Sequence, residues 1–269
     1  MKRLFSMVLL VIFMLVAWSG FADRNLVRDE MIAKTVLFYN PGGGSTFESW
    51  IGSGVVVSED GYIVTNRHVV GYRLLPDGKD DMENPKYKIE GDPTIRLQVY
   101  HRDWGYGSCR IVAVSNEMAT DLALVKIEGV DPLAYAELAV TKNMFEGDTV
   151  YSVGHPLGIS WTITKGSISN FLELEDHTKW ILHDSSINPG NSGGPLFDEF
   201  GNVVGLNFAA IPPFAAENMA VAVDARMVAR FVERAIYFDG ERMKPMSESD
   251  FGATSAKNHY YKGYWYGGR

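Results

Sequence analysis

The sequence predicts an all-β fold of the barrel or sandwich type, with one helix near the end of the strands. Short runs rich in Val, Ile, Thr and aromatic residues recur along the chain, and Gly, Asn, Asp and Pro separate them. Apolar residues recur strongly at helical spacing in one window only, residues 224–237. The pattern does not alternate strands with helices, which argues against a doubly wound parallel sheet.

The predicted strands are short and closely spaced, as in barrels and sandwiches. They cover residues 35–39, 54–57, 62–65, 95–100, 109–114, 122–127, 149–153, 161–169, 180–183, 195–197, 203–208 and 219–223. In the helical window the apolar face consists of Met227, Val228, Phe231, Val232 and Ile236.

Composition narrows the class of protein. The 269 residues are 46% apolar and 22% charged, as in globular domains, which excludes a disordered chain, a collagen repeat and a polytopic membrane protein. The net charge of −8 argues against a nucleic-acid partner, which would require a basic surface. The single cysteine, Cys109, rules out an intrachain disulfide and a multi-cysteine metal site. We therefore predict no metal and no cofactor.

The first 22 residues have the pattern of an export signal. Lys2 and Arg3 precede an apolar stretch, and small residues stand at Gly20 and Ala22, so cleavage is expected before Asp23. The alternative is an uncleaved anchor, which is the one case in which membrane contact is expected. Both alternatives place the rest of the chain outside the cytoplasm, in the periplasm or the extracellular space. The expected organisation is a signal over 1–22, a folded unit over 23–240 and a flexible tail over 241–269.

An acidic segment covers residues 71–92. The favoured interpretation is a solvated loop. A calcium-binding loop is the alternative, although the spacing of the carboxylates matches no EF-hand.

The segment Ile187-Asn-Pro-Gly-Asn-Ser192-Gly-Gly-Pro195 predicts a nucleophilic serine. Glycines on both sides of Ser192 permit a tight turn that exposes its hydroxyl. The glycines also let a substrate approach the bare backbone N–H groups of Gly190 and Ser192. A nucleophilic serine also needs a general base, and we expect one of the six histidines to provide it.

His68 is the favoured base, because it follows a predicted hairpin that turns at Asp60-Gly61 and so lies at the end of a strand. The orienting carboxylate is predicted to be Asp121, which immediately precedes the apolar strand Leu122–Ile127. A carboxylate against the core needs a partner, and His68 can provide one.

The order His68, Asp121, Ser192 is that of chymotrypsin-fold serine proteases. The chain resembles the HtrA/Deg-type trypsin-like proteases in residues 64–70 (VTNRHVV), 120–125 (TDLALV), 154–158 (GHPLG) and 187–195. The resemblance spans residues 50–235 and implies two six-stranded antiparallel β-barrels with a C-terminal helix. It also implies a serine endopeptidase acting on protein or peptide substrates, with Ser192 as nucleophile, His68 as general base and Asp121 orienting His68. By the same resemblance, the backbone N–H groups of Gly190 and Ser192, with Asn191 between them, would form an oxyanion hole.

The resemblance also bears on specificity and assembly. Cleavage after Lys or Arg needs an acid six positions before the nucleophile, but Ser186 stands there, and Asp184 is predicted to be structural. We expect an uncharged pocket that favours small or medium aliphatic residues and is lined by Ser186, Ile187, Asn207, Phe208 and Ala209. A PDZ domain, familiar in these relatives, is not expected in the 77 residues after Ser192. A homotrimer, usual in relatives, is one state of assembly to consider.

Two other functions remain open from the sequence. A protease groove without activity could bind extended peptides as a non-catalytic module. Gly190-Asn-Ser192-Gly-Gly194 also fits the Gly-x-Ser-x-Gly elbow of esterases, although the flanking residues predict strands and His259 is the only later histidine.

Overall fold

Twelve strands form two closed six-stranded antiparallel barrels, which confirms the predicted fold. The structure is a computed structural model that describes residues 26–40, 50–79, 85–91, 97–115, 119–127, 129, 132–174, 177–210, 219–240 and 264–266. A helix, α1, covers residues 26–33 and leads into the first barrel. The predicted signal over 1–22 lies outside the described residues.

The first barrel closes in the order β1-β2-β3-β8-β7-β6, with β6 pairing back to β1. Its strands are β1 (Thr35–Tyr39), β2 (Trp50–Val56), β3 (Tyr62–Asn66), β6 (Gln98–His101), β7 (Gly105–Ser115) and β8 (Leu122–Ile127). The order of the second barrel is β10-β11-β14-β13-β12-β9. Its strands are β9 (Thr149–Gly154), β10 (Thr162–Glu173), β11 (Lys179–His183), β12 (Pro195–Asp198), β13 (Val203–Ala210) and β14 (Ala220–Asp224).

Alternating residues of the central strands serve two different cores. In β8, Ala123 and Val125 fill the first barrel, whereas Leu122 and Leu124 face a second core shared with the other barrel. Successive side chains of a strand point to opposite faces, so a strand buried on both faces must be apolar throughout. The shared core also contains residues of the second barrel, namely Val153, Phe197, Leu206 and Val223. The two barrels therefore meet through a continuous apolar interface.

The predicted helix is confirmed as α2 (Ala225–Gly240). Asp224 caps its start, because the Asp224 carboxylate accepts the Arg226 N–H at 2.8 Å. Val228, Phe231 and Val232 are buried against the core shared by the barrels. The helix therefore covers that interface. None of the helices within the described residues has the length and hydropathy that a membrane crossing requires.

The acidic segment differs from the predicted loop. β4 (Tyr72–Lys79) and β5 (Pro85–Gly91) form a two-stranded antiparallel sheet outside the barrels. Most described side chains of this hairpin are exposed or half-buried, including Asp77 and Glu90. Backbone pairing rather than burial defines it, so hydrophobic alternation gave no signal. The acidic residues at positions 80, 81, 83 and 92 lie outside the described residues.

The predicted tail is described only at β15 (Tyr264–Tyr266), where the backbone pairs with Ala113–Ser115 of β7. The rest of residues 241–269 lies outside the described part of the chain.

Asp239 ties the end of α2 to the first barrel. Arg110 on β7 donates two hydrogen bonds to its carboxylate, at 2.8 and 2.7 Å. The Tyr62 hydroxyl on β3 donates a third at 2.7 Å. These bonds, with that from Arg110 the strongest influence, hold the pKa of Asp239 below its ordinary value.

Asp239→Asn should therefore lower the free energy of unfolding by about 1–3 kcal/mol, because it removes charge-assisted acceptors from two donors. Urea unfolding followed by circular dichroism measures this. Glu233→Gln makes the same charge change at an exposed position of α2 and is the matched control. Equal stabilities of the two variants would contradict the role given to Asp239.

Candidate active site

His68 projects from the end of β3. The strand ends at Asn66, and a single 3-10 turn over His68–Val70 follows, closed by the Gly71 N–H donating to the His68 carbonyl. Val69 and Val70 are buried, which anchors the turn, whereas the His68 side chain is 46% exposed. The imidazole is therefore held by a rigid strand but remains accessible to a substrate.

Asp121 lies directly beside His68, as the sequence predicted. Its carboxylate Oδ2 is 2.5 Å from His68 Nδ1, and its Oδ1 accepts the His68 backbone N–H at 3.3 Å. The Asp121 backbone has a φ of +46°, a left-handed conformation that aspartate tolerates better than most residues. Its side chain is only 7% exposed. A buried carboxylate in this position fixes the orientation of the imidazole.

Arg67 is a third member of this group, and the sequence reasoning missed it. Its Nη2 lies 3.3 Å from Asp121 Oδ1, and its Nη1 donates to the Ser115 carbonyl at 2.7 Å. Arg67 belongs to the same segment as His68, residues 64–70. Arginine side chains are usually exposed, so the residue type gave no reason to predict a buried position.

The Ser192 turn has the conformation that its glycines permit. Gly190 and Gly193 have φ values of +105° and +79°. A side chain at Gly193 would collide with Thr65 Oγ1 and the Ser53 carbonyl, and one at Gly190 would collide with the His155 carbonyl. Only glycine adopts these positive φ values without strain and also leaves the neighbouring atoms the space that they occupy. The turn is thus packed directly against strands of the first barrel.

The backbone of this turn leaves two N–H groups available. Asn191 donates to the Asn188 carbonyl at 3.0 Å, and Gly193 donates to the Asn207 carbonyl at 2.8 Å. Within the described chain, the N–H groups of Gly190 and Ser192 donate to no other protein atom. Those two groups are the predicted oxyanion donors, while the N–H of Asn191 serves the turn itself.

Ser53 joins the turn to the first barrel and was also missed from sequence. Its N–H donates to the Ser192 carbonyl at 2.9 Å, and its Oγ donates to the Gly190 carbonyl at 2.7 Å. The same Oγ accepts the His155 N–H at 3.2 Å and lies 3.1 Å from His155 Nδ1. We call these four residues the Ser53 bridge. It connects β2 to both ends of the segment 190–192.

The predicted pocket residues divide into two groups. Ser186 is exposed and Ile187 half-buried, on the segment that leads into the Ser192 turn. The Asp184 carboxylate accepts hydrogen bonds from the Ser167 backbone N–H at 2.6 Å and from Ser167 Oγ at 3.3 Å, as expected for a structural residue. The Thr164 hydroxyl fixes the Ser186 carbonyl at 2.8 Å.

The second group lies on β13. Asn207 is completely buried, its N–H and carbonyl are bound by Gly194 and Gly193, and its side chain donates to the Pro195 carbonyl. It therefore supports the turn rather than offering its backbone to a substrate. A register shift between Asn207 and Ala209 leaves Phe208 at a bulge, and Ala209 pairs with Val221 of β14. Phe208 packs against Trp180, with ring centroids 5.6 Å apart.

Two buried histidines flank the turn and stay neutral. Burial lowers the pKa of His155 to about 3 and that of His183 to about 4. The Ser53 hydroxyl gives its proton to Gly190, so His155 Nδ1 must carry a proton to bond it. His183 Nδ1 bonds Ser185 Oγ at 2.7 Å, and Ser185 Oγ bonds Ser152 at 2.6 Å. No group of three or more His, Cys, Asp or Glu side chains in the described ranges could hold a metal ion.

Two antiparallel barrels, one with an imidazole–carboxylate pair and the other with a glycine-rich serine turn, define the chymotrypsin-like class of fold. A family model described as a trypsin-like peptidase domain matches residues 52–206, more than half of the chain, so the chain belongs to that family.

The proteins that are similar in sequence or structure include serine endoproteases. A DegP-like periplasmic serine endoprotease of Pseudomonas savastanoi pv. phaseolicola is 33% identical over 183 residues, which cover 66% of this chain and 33% of the relative. The protease Do-like 14 of Arabidopsis thaliana is 33% identical over 190 residues, covering 68% and 40%. The solved structure of a serine endoprotease from Yersinia pestis aligns with a TM-score of 0.62 and 25% identity, covering 81% of this chain and 67% of that one. The chain thus spans 33–40% of the length of these two curated relatives.

The neutral histidines predict acid sensitivity. An unfolded histidine binds a proton below its ordinary pKa of about 6.5, whereas folded His155 does so only near pH 3. The unfolded state therefore gains protons first, so the stability that neutral His155 contributes is full above pH 6.5 and falls as the pH drops from 6.5 to about 3. His155→Asn should reduce this loss by about 1.4 kcal/mol per pH unit below 6.5.

Urea unfolding of wild type and variant at pH 7.5, 6.0 and 5.0 tests this, because the slope with pH is independent of any constant loss of stability. Parallel stability curves for wild type and His155→Asn would be inconsistent with a neutral buried His155.

Proposed function

We propose that the protein is a serine endopeptidase that hydrolyses peptide bonds of unfolded or extended proteins through His68, Asp121 and Ser192. The observation that carries the proposal is the pairing of His68 Nδ1 with the buried Asp121 carboxylate at 2.5 Å, at the end of β3. The same barrel also holds the Ser192 turn, through the hydrogen bond from the Ser53 N–H to the Ser192 carbonyl. Family membership and the named serine endoproteases among its relatives support it.

The proposed reaction is that of the trypsin-like peptidase family to which the chain belongs. Ser192 Oγ attacks the carbonyl carbon of the peptide bond while His68 Nε2 takes the hydroxyl proton. The N–H groups of Gly190 and Ser192 stabilise the oxyanion, and Asp121 stabilises the imidazolium that forms. The proton then passes to the departing amine, and water hydrolyses the acyl-enzyme by the same route.

The shape of the second barrel supports an extended substrate. Among the described residues, β13 pairs with β12 only as far as Leu206, while its pairing with β14 continues to Ala210. The other edge of β13 beyond Asn207 can therefore accept the backbone of an added strand. In this proposal Phe208 and Ala209 offer backbone groups, and Ser186 and Ile187 line the pocket for the residue before the cleaved bond.

We also propose that the chain acts outside the cytoplasm. The basic, apolar and small-residue order of residues 1–22 supports export, and several relatives are named as periplasmic.

Ser192→Ala should abolish activity. Wild type should bind a fluorophosphonate covalently and digest casein, whereas the variant should not be labelled and should lose casein hydrolysis by a factor on the order of 10⁶ in kcat. Ser169→Ala removes an exposed hydroxyl of β10 and should behave as wild type. Wild type that is never labelled yet binds unfolded peptides would support the non-catalytic module instead. Hydrolysis of small esters without cleavage of casein would support an esterase.

The specificity should be aliphatic. A peptide library cleaved by wild type should give small or medium aliphatic residues before the cut, because the residue at position 186 is an uncharged serine rather than an aspartate. Ser186→Asp should raise kcat/KM for Lys or Arg at that position by about tenfold, as expected from one new ion pair. A wild-type profile dominated by Lys or Arg would refute the uncharged pocket.

A further inference from the structure

Arg67 is a buried cation in an unusual place. Its side chain is 6% exposed, although it is adjacent in sequence to His68. Burial lowers the pKa of Arg67, and the neighbouring Asp121 charge opposes that shift. A buried guanidinium is tolerated when it is paired with an anion and hydrogen-bonded, as it is here by Asp121 and the Ser115 carbonyl.

The guanidinium acts on the carboxylate rather than on the backbone of Asp121. The Asp121 carbonyl is already fixed by the Arg67 N–H at 2.7 Å and by Asn66 Nδ2 at 3.2 Å. Arg67 Nη2 instead approaches Oδ1, the oxygen that also accepts the His68 N–H, while Oδ2 faces His68 Nδ1. The plane of the carboxylate is thus set from both of its oxygens.

We propose that Arg67 is a positioning residue that orients the Asp121 carboxylate and moderates its electrostatic effect on His68. This inference rests on the proposed function. In the described part of the chain, the charged side chains that contact the Asp121 carboxylate are Arg67 and His68. The same negative charge is therefore shared between a permanent cation and an imidazole that becomes a cation during the proposed reaction.

Two consequences follow from this sharing. Without the guanidinium, Asp121 stabilises the imidazolium more strongly, so His68 stays protonated to a higher pH. The carboxylate also loses one of its fixed contacts, and a looser base orientation lowers kcat with little effect on substrate binding. A purely structural arginine would change stability but neither of these quantities.

The test is the pH dependence of peptide hydrolysis by Arg67→Met, which keeps an unbranched apolar side chain in place of the charge. We expect kcat to fall by about 10- to 100-fold with KM nearly unchanged. The acid limb of kcat/KM should move to higher pH by roughly half a unit or more. Arg67→Lys retains the charge but cannot bridge both acceptors, so its acid limb should stay near that of wild type while its kcat falls.

Arg110→Met is the matched control, because the same substitution removes the ion pair between Arg110 and Asp239, which lies away from Asp121. It should lower stability without moving the acid limb. Arg67→Met with the kcat and acid limb of wild type would overturn the proposal, as would a pure stability loss like that of Arg110→Met. If Arg67→Met does not fold, Arg67→Lys decides, and a wild-type kcat in that variant overturns the bridging role.

A second readout separates this inference from the proposed function. In ¹³C-histidine protein carrying Ser192→Ala, the titration midpoint of the His68 resonance should rise when Arg67→Met is added. The His68 resonance is identified by its loss in His68→Gln. This measurement needs no protease activity, so inactive wild type would overturn the proposed function, whereas an unmoved midpoint would overturn the role of Arg67.

Discussion

The Ser53 bridge determines where the two barrels stand relative to each other. Ser53 belongs to β2, yet its N–H and Oγ hold the carbonyls of Ser192 and Gly190 in the other barrel. The Ser53 carbonyl in turn accepts the Thr65 hydroxyl on β3, the strand that leads to His68, at 2.6 Å. A short run of hydrogen bonds therefore links the proposed base to the proposed nucleophile. A shift between the barrels would have to break it.

This polar bridge complements the apolar contact between the barrels. Burial of Leu124 and Leu206 favours association, but hydrophobic contact is not directional and would tolerate small slides. Buried hydrogen bonds specify one arrangement, because leaving them unmade is expensive. The only cysteine cannot serve as an intrachain crosslink. Burial raises the pKa of Cys109 to about 12, so it stays a thiol packed against the core of the first barrel.

Local patterns predicted an all-β fold with one late helix and the His68–Asp121 contact, and the family resemblance predicted the two barrels. The remaining features depend on contacts between residues that are distant in sequence. The α2 helix was predicted because apolar residues recur at helical spacing from Met227 to Ile236. Ser53 gave no signal, since its partner Gly190 is 137 residues away and a serine between glycines normally indicates a turn. Arg67 is ordinary on a surface, and it becomes informative only once the fold places Asp121 beside it. The β4–β5 hairpin escaped prediction because backbone pairing leaves no periodicity in its exposed side chains.

The two sides of the candidate site differ in charge for a physical reason. The first barrel contributes the ionised pair of Arg67 and Asp121, which needs its own hydrogen bonds to remain buried. The second barrel supports the Ser192 turn with neutral groups, including His155 and His183, which burial keeps unprotonated. In the proposed function, backbone N–H dipoles of this turn rather than charged side chains receive the oxyanion. Protonation of His155 would place a charge inside the Ser53 bridge, so acid weakens the contact that holds the two halves of the site together.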